Sequence, residues 1–143
     1  MLTIDASVLV AAVLVDEPAH ADAAQVLRVI ARNGTVLHEP VIAIIEIVSA
    51  VVRRTGDRDL AQTAALHLMR NPAIVVHPLD LPEAAHAAEL AATQRLRAAD
   101  AVYAATALVH GTMLITLDAE LIGRAGPAIE AYTPAEWLVR QEE

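Results

Sequence analysis

The stretch Leu2-Thr-Ile-Asp-Ala-Ser-Val-Leu-Val10 decides the fold, because a short apolar run passes through an acid directly into a longer apolar stretch. Leu2 to Asp5 has the length and composition of a buried strand, and Ser7 to Leu14 continues as a helix. The same alternation of short strand-like runs and longer helical stretches recurs along the chain. It predicts an α/β fold built on a parallel sheet.

The remaining elements follow from apolar spacing and from glycine and proline positions. The other predicted strands are Thr35–His38, Ala73–His77, Met113–Leu117 and an edge strand over Ala128–Tyr132. The other predicted helices are one that opens at Glu17-Pro18 and stops at Asn33-Gly34, then Val41–Arg54, Asp59–Arg70, Pro82–Leu96, Ala99–Val109, Glu120–Arg124 and Pro134–Val139. Pro40 is expected at a helix N-terminus, where proline is tolerated. With no repeat or linker, residues 1–143 are expected to form a single domain.

The amino-acid composition excludes several classes of catalytic mechanism. The chain has no cysteine, which excludes disulfides, thiol catalysis and cysteine-ligated metals. All ten basic residues are arginine, so mechanisms that need a lysine are excluded as well. A net charge of −8 argues at first against a protein that holds nucleic acid by bulk charge. No signal sequence or spanning segment is recognisable, which favours a cytoplasmic location.

Four carboxylates stand out by their apolar surroundings: Asp5, Glu46, Asp100 and Asp118. An aspartate between a strand and a helix is often only a helix N-cap, and that alternative applies to each of the three aspartates. Glu46 lies in a helix that is apolar on nearly every face, so its charge needs a partner or a metal. A salt bridge to Arg53 or Arg54 is the alternative for Glu46, although both lie two turns further on.

The joint position of these acids is more informative than any one of them. Ligands of parallel α/β sheets bind at the carboxyl ends of the strands, where Asp5 and Asp118 are predicted to lie. Asp100 opens the helix before the fourth strand. Acids that converge there repel one another unless a cation lies among them. An all-carboxylate site selects hard divalent ions, so Mg²⁺ or Mn²⁺ is expected, as one or two ions.

Four motifs in this order resemble the PIN-domain ribonucleases, and specifically the VapC-type toxins of prokaryotic toxin–antitoxin pairs. They are Ile4-Asp-Ala-Ser7, Glu46-Ile-Val-Ser-Ala-Val-Val-Arg53, Asp100-Ala-Val-Tyr-Ala-Ala-Thr-Ala107 and Ile115-Thr-Leu-Asp118. The resemblance implies a three-layer α/β/α fold around a parallel sheet of four to five strands. It also implies a metal-dependent endoribonuclease whose catalytic and metal-binding acids are Asp5, Glu46, Asp100 and Asp118. Ser7 and Thr116 match supporting polar positions, with ordinary strand and cap hydrogen bonding as the alternative.

The resemblance further implies a homodimer that binds a small antitoxin protein, with RNA as the substrate. Aromatic residues make up only 2% of the chain, so RNA must be held through its phosphates rather than by base stacking. The candidate phosphate-binding residues are Arg53, Arg54, Arg95 and Arg97, each with a solvated surface charge as the alternative. The six histidines show no local metal-binding spacing.

Two other functions compete with the nuclease. A phosphotransferase of doubly wound fold with Asp5 as its nucleophile would need a second aspartate at position 7 and a lysine downstream, and the chain has Ser7 and no lysine. A catalytically silent PIN-like scaffold would be expected to have lost acids, and all four are present. Two bound divalent ions would take the net charge from −8 to −4, so the acidity does not exclude RNA.

Overall fold

The computed structural model describes residues 1–141 and contains a five-stranded sheet in which all strands run parallel. The last two residues of the expected 1–143 domain lie outside the described part. The strands are β1 (Leu2–Ile4), β2 (Leu37–Pro40), β3 (Ile74–His77), β4 (Met113–Ile115) and β5 (Ala131–Tyr132). Their order across the sheet is β3-β2-β1-β4-β5. This confirms the predicted α/β fold with a central parallel sheet.

The described chain also forms eight α-helices. They are α1 (Ala6–Val13), α2 (His20–Asn33), α3 (Ile42–Thr55), α4 (Arg58–Arg70), α5 (Leu81–Gln94), α6 (Ala98–His110), α7 (Ala119–Ala125) and α8 (Pro134–Arg140). From β1 to β3 the chain moves one way across the sheet, and it then returns past β1 to β4. Because crossovers are right-handed, this reversal puts α1 to α4 on one face and α5 and α6 on the other. The result is the three-layer α/β/α arrangement. Among the residues that the structure describes, no helix is long and apolar enough to cross a membrane.

Burial explains why these short runs form strands. Every residue of β1 is buried, and Leu114 and Ile115 of β4 are also fully enclosed. Strands covered by helices on both faces are apolar at consecutive positions rather than at alternate ones. Helix α6 contributes seven consecutive buried residues, from Ala101 to Ala107, because it crosses the middle of the sheet. The ends of α6 therefore have fixed positions relative to β1, β2 and β4.

The structure corrects the expectation for Pro40, which is the last residue of β2 and not the start of a helix. The backbone N–H groups of Leu37 and Val41 donate to carbonyls beside β3, at 2.9 and 2.8 Å. The nitrogen of Pro40 therefore faces the other neighbour, β1. The β1–β2 ladder pairs only Leu2 with Leu37, so a missing N–H at position 40 breaks no ladder bond.

Other boundaries move by a few residues. The predicted strand over Ala128–Tyr132 is reduced to Ala131–Tyr132, and the second helix begins at His20 instead of Glu17-Pro18. The helix ends predicted at glycine residues are confirmed. Gly34 and Gly111 end α2 and α6 with φ of 63° and 61°, in the left-handed region that side chains disfavour.

Candidate active site at the carboxyl edge of the sheet

The site lies where the strand order reverses direction, between the neighbouring strands β1 and β4. Asp5 follows β1 directly, and Thr116 and Asp118 follow β4. The helix after β1 packs on one face of the sheet and the helix after β4 on the other, so a crevice opens between them at the carboxyl ends. Such a switch point is where open α/β sheets bind their ligands.

Two hydroxyl groups hold the Asp5 carboxylate. The Oγ of Ser7 donates to Oδ2 at 2.5 Å, and the Oγ1 of Thr116 donates to the same oxygen at 2.8 Å. Each hydroxyl also accepts a backbone N–H, Ser7 from Leu117 at 3.2 Å and Thr116 from Asp118 at 3.0 Å. A backbone N–H can only donate, so these contacts direct both hydroxyl protons towards Asp5. Ser7 and Thr116 therefore join the end of β4 to the end of β1.

Burial and hydrogen bonding act on Asp5 in opposite directions. Only 8% of its surface is exposed, and this burial raises the pKa of the carboxyl group above its usual value. Hydrogen bonds from Ser7 and Thr116 lower the pKa in part, and the charge of Asp118 raises it again. The site thus disfavours the ionised form of Asp5, and a nearby cation would stabilise it.

Asp100 and Asp118 differ in their local roles. Asp118 is the N-cap of α7, and its Oδ1 accepts the backbone N–H groups of Glu120 and Leu121 at 2.8 and 3.2 Å. The capping alternative therefore holds for Asp118. It does not hold for Asp5, which precedes α1 without a side-chain cap bond, or for Asp100, which lies inside the first turn of α6 after Arg97. The N-cap role leaves the placement of these two acids unexplained.

The pKa of Asp100 is also raised, first by burial and then by the charges of Asp118 and Asp5. Arg97 opposes this rise from the residue that precedes α6. Arg97 is 73% exposed in its side chain and makes a 3.2 Å ion pair with Glu120, which also pairs with Arg124. Glu120 thus belongs to a surface ion-pair network in the first turn of α7, where an acid also interacts favourably with the helix dipole.

Glu46 reaches the cleft from α3, which packs on the face of the sheet opposite to α6. Its Oε2 accepts the hydroxyl of Tyr103 at 2.7 Å, which links α3 to α6. Burial raises the pKa of Glu46, the Tyr103 hydrogen bond lowers it, and the charges of Asp5 and Asp100 raise it further. The carboxylate is half-buried, so it keeps some contact with solvent although its helix is largely apolar. Tyr103 is itself fully buried, and it serves the core and the cleft together.

Charge repulsion links the four acids predicted from the sequence. Asp118 raises the pKa values of Asp5 and Asp100, and Asp5 and Asp100 in turn raise the pKa of Glu46. In the described part of the chain no three of them bring one oxygen each within 4.8 Å of the others. Mutual repulsion favours this spread in a cluster of like charges. The donors are all carboxylate oxygens, and these suit a hard divalent ion such as Mg²⁺ or Mn²⁺.

The candidate phosphate-binding arginines divide into two groups. Arg53 and Arg54 line the same cleft as Asp5 and Glu46, which has a volume of about 380 Å³, and Arg54 forms an ion pair with Glu17 on its outer side. Arg97 lies near Asp100. Arg95 is exposed at the end of α5 with a φ of 55°, and its carbonyl accepts from the Arg124 side chain. The ion pairs of Arg54 and Arg97 are surface pairs, which are easily exchanged for a phosphate.

Sequence reasoning missed Glu39, which is completely buried at the end of β2. Its Oε1 accepts the backbone N–H of Ile4 at 2.8 Å, in place of a β1–β2 ladder bond. Oε2 has no hydrogen-bond partner among residues 1–141. Burial holds the pKa of Glu39 well above its usual range, and the charge of Asp5 adds to this. The signal in the sequence was an acid inside the apolar run Val36-Leu-His-Glu-Pro40.

Replacing Glu39 with glutamine is expected to flatten the pH dependence of stability. An acid whose pKa is raised by folding stabilises the native state below its unfolded pKa, and this contribution is lost as the pH rises towards the folded pKa. Glutamine keeps the acceptor for Ile4 and never ionises. Urea denaturation at pH 5 and pH 8 should show a smaller loss of unfolding free energy in Glu39→Gln than in the wild type. An equal loss in both proteins would contradict the assigned ionisation.

The fold and the cleft together define an α/β domain whose acids gather where the strand order reverses. The family model of the PIN domain matches residues 2–126, which is most of the chain. The chain therefore belongs to the PIN domain family.

Solved structures extend the match in fold. VapC20 of Mycobacterium tuberculosis, a sarcin–ricin loop cleaving toxin, is similar with a TM-score of 0.75 and 19% identity over 88% of this chain and 95% of that chain. A toxin–antitoxin complex from Klebsiella pneumoniae is similar with a TM-score of 0.69 and 16% identity, covering 94% and 98%. PAE2754 from Pyrobaculum aerophilum has a TM-score of 0.68 and 25% identity, covering 99% and 88%. No significant match is found among curated protein sequences.

Proposed function

We propose that this PIN domain is a metal-dependent endoribonuclease and the toxin of a toxin–antitoxin pair. The observation that carries the proposal is the Asp5 carboxylate, buried at the switch point, held by the Ser7 and Thr116 hydroxyls and coupled in its ionisation to Asp118. A purely structural acid gains nothing from being surrounded by three others. In metal-dependent nucleases such a cluster holds a divalent ion. The ion is needed because the reacting phosphate is an anion, which carboxylates alone would repel.

Asp5, Asp100 and Asp118 are the residues that would hold Mg²⁺ or Mn²⁺, with Glu46 at the other side of the cleft for a second ion. When bound, a divalent ion acidifies a coordinated water and neutralises charge on the phosphate. The raised pKa values of Asp5 and Asp100 support this assignment, because burial and, to a smaller extent, repulsion disfavour the charged carboxylates, and a bound cation offsets both effects. We propose one or two ions, as the arrangement of acids accommodates either number.

The chain's own residues have distinct proposed roles in hydrolysis. Ser7 and Thr116 keep Asp5 in one orientation through their hydroxyl protons. Glu46 is half-exposed and has a raised pKa, so it is suited to accept the proton of the attacking water. The water adds to phosphorus, the bond from phosphorus to the 3′ oxygen breaks, and that oxygen takes up a proton. The products are a 5′-phosphate and a 3′-hydroxyl.

RNA binding is proposed to depend on arginine. Arg53 and Arg54 lie on the cleft wall and Arg97 lies at the start of α6, so cationic groups flank the acids on two sides. Phosphate contacts of this kind position a strand without selecting its sequence. Arg95 is the weakest candidate of the four, because it is neither among the residues that line the cleft nor among the charges that act on Asp100.

The proposed regulator is a small antitoxin, and the proposed oligomer is a homodimer. Similar structures include a toxin–antitoxin complex, which supports a partner of this class. Large apolar side chains stay exposed on α3 and α4, including Ile45 (67%), Leu66 (43%) and Met69 (57%). Exposed apolar groups on adjacent helices are typical of a surface that a second chain covers. An antitoxin arginine placed among the four acids would compensate their charge.

The function is tested by incubating the purified protein with RNA in Mg²⁺ or Mn²⁺ and by expressing it in bacteria. We expect endonucleolytic fragments, and we expect growth arrest that ends when a small protein encoded next to the gene is co-expressed. RNA binding without cleavage in either metal would favour the silent scaffold instead. Cleavage without growth arrest would support the nuclease and contradict the toxin assignment.

A further inference from the structure

Three histidines that are far apart in the sequence come together outside the acidic cleft. His38 lies in β2, His77 ends β3 and His110 ends α6. One ring nitrogen of each lies within 4.8 Å of one ring nitrogen of each of the others. Sequence spacing gave no sign of this group, because the members are more than thirty residues apart.

The parallel register explains the convergence. His38 pairs with Val75 and Pro40 with His77, so His38 and His77 occupy positions of the same face on neighbouring strands. Helix α6 packs across β2 on that face, and its last residue is His110. The ring centroids of His77 and His110 are 3.7 Å apart, and those of His38 and His110 are 4.9 Å apart. The three rings therefore join two strands and one helix end.

The nitrogen atoms of this group are incompletely satisfied by the protein. Nδ1 of His38 and Nε2 of His77 share one hydrogen bond of 2.9 Å, which needs at least one unprotonated nitrogen. Nε2 of His110 is shielded from solvent and has no hydrogen-bond partner among the described residues. A buried nitrogen without a partner costs free energy unless something else binds it. All three residues keep partial exposure, so a small ligand has access.

The surroundings of His38 and His77 favour the neutral imidazole, which is the form that binds metals. Burial is the largest cause that lowers the pKa of His38, and the neighbouring His110 and the amino terminus lower it further. Burial and the two other rings lower the pKa of His77, and only Glu83 opposes this. Glu83 accepts the hydroxyl of Thr106 at 2.7 Å, one turn before His110 on α6. A carboxylate thus lies beside the group of three histidines.

We propose that His38, His77 and His110 form a binding site for a divalent transition-metal ion of the Zn²⁺ class, separate from the acidic cleft. Imidazole donors suit Zn²⁺, Co²⁺, Ni²⁺ and Cu²⁺, whereas Mg²⁺ and Mn²⁺ prefer carboxylate oxygens. Binding exchanges the histidine–histidine hydrogen bond for metal–nitrogen bonds of about 2.0–2.1 Å. His110 and Asp100 lie about 15 Å apart along α6, since a helix rises about 1.5 Å per residue. The ion would cross-link β2, β3 and α6.

The test uses the full chain, stripped with a chelator and titrated with Co²⁺ while the visible absorption of the bound ion is recorded. Competition with Zn²⁺ then gives the zinc affinity. We expect one Co²⁺ per chain to show the visible absorption of a nitrogen-rich site, apart from any Co²⁺ held by the carboxylates of the cleft. This ion should be displaced by Zn²⁺, and the Tm should be higher with Zn²⁺ bound. His77→Gln and His110→Gln should each weaken binding by at least about 10–100-fold, because each removes one of three ligands.

Two controls separate this site from other sources of binding. His86→Gln changes an exposed histidine of α5 outside the group and should leave the Co²⁺ spectrum unchanged. Asp100→Asn changes the acidic cleft and should also leave it unchanged. A wild-type protein that binds no Co²⁺, or a spectrum that survives in both His77→Gln and His110→Gln, would overturn the proposal. Circular dichroism of each variant shows whether a loss of binding occurs in a folded protein.

Discussion

Replacing Asp5 with asparagine is expected to abolish RNA cleavage while the fold stays intact. Asparagine has the shape of aspartate and still offers an oxygen to Ser7 and Thr116. It lacks the charge that would hold a divalent ion, and the loss of metal assistance costs several kcal/mol of transition-state stabilisation. That cost corresponds to a rate decrease of more than about 100-fold. The measurement is the initial rate of RNA cleavage in Mg²⁺, with the Tm recorded for the same samples.

The stability of Asp5→Asn provides a second readout. Because folding raises the pKa of Asp5, its charge at neutral pH is a cost to the native state. The variant should therefore be at least as stable as the wild type at pH 7. Asp22→Asn, in the exposed first turn of α2, is the matched control and should cleave RNA at the wild-type rate. Full activity in Asp5→Asn would contradict the role of the cluster.

Removing divalent ions with EDTA is expected to stop cleavage completely, and addition of excess Mg²⁺ or Mn²⁺ should restore it. The cleft has four carboxylates, and although Arg53, Arg54 and Arg97 flank it, none of these arginines forms an ion pair with an acid of the cleft among the described residues. The RNA phosphate is therefore repelled when no ion is present. EDTA also removes any ion from the three histidines. Restoration by Mg²⁺ alone therefore assigns the activity to the acidic cleft, and cleavage that continues in EDTA would exclude the metal mechanism.

The architecture could be predicted from the sequence because each strand and helix has a local pattern of apolar residues. Short apolar runs such as Leu2–Ile4 and long helical stretches such as Ala98–His110 are visible without knowledge of the partners they pack against. The rule that ligands bind at the carboxyl ends of parallel strands then placed Asp5 and Asp118 at one edge. The predicted ends of helices and strands were less accurate where pairing with a distant strand determines them. Pro40, for example, remains in β2 because the β1–β2 ladder has already ended at that position.

The details of the site depend on contacts between distant residues, and sequence reasoning could not supply them. The hydrogen bond from Thr116 to Asp5 joins positions 111 residues apart, and that from Tyr103 to Glu46 joins positions 57 apart. Local reasoning treated the three aspartates alike as possible caps, and only Asp118 has that role. Glu39 was overlooked because a single acid at the end of a strand is a weak signal, although its complete burial sets it apart.

Titration with Mn²⁺ measures whether the carboxylates of the cleft bind a catalytic divalent ion. Free Mn²⁺ can be followed by electron paramagnetic resonance during titration of the wild type, Asp100→Asn and the Asp22→Asn control. We expect one or two bound ions in the wild type and in the control, and weakened binding together with lost RNA cleavage in Asp100→Asn. Equal Mn²⁺ binding and equal cleavage in all three proteins would contradict it.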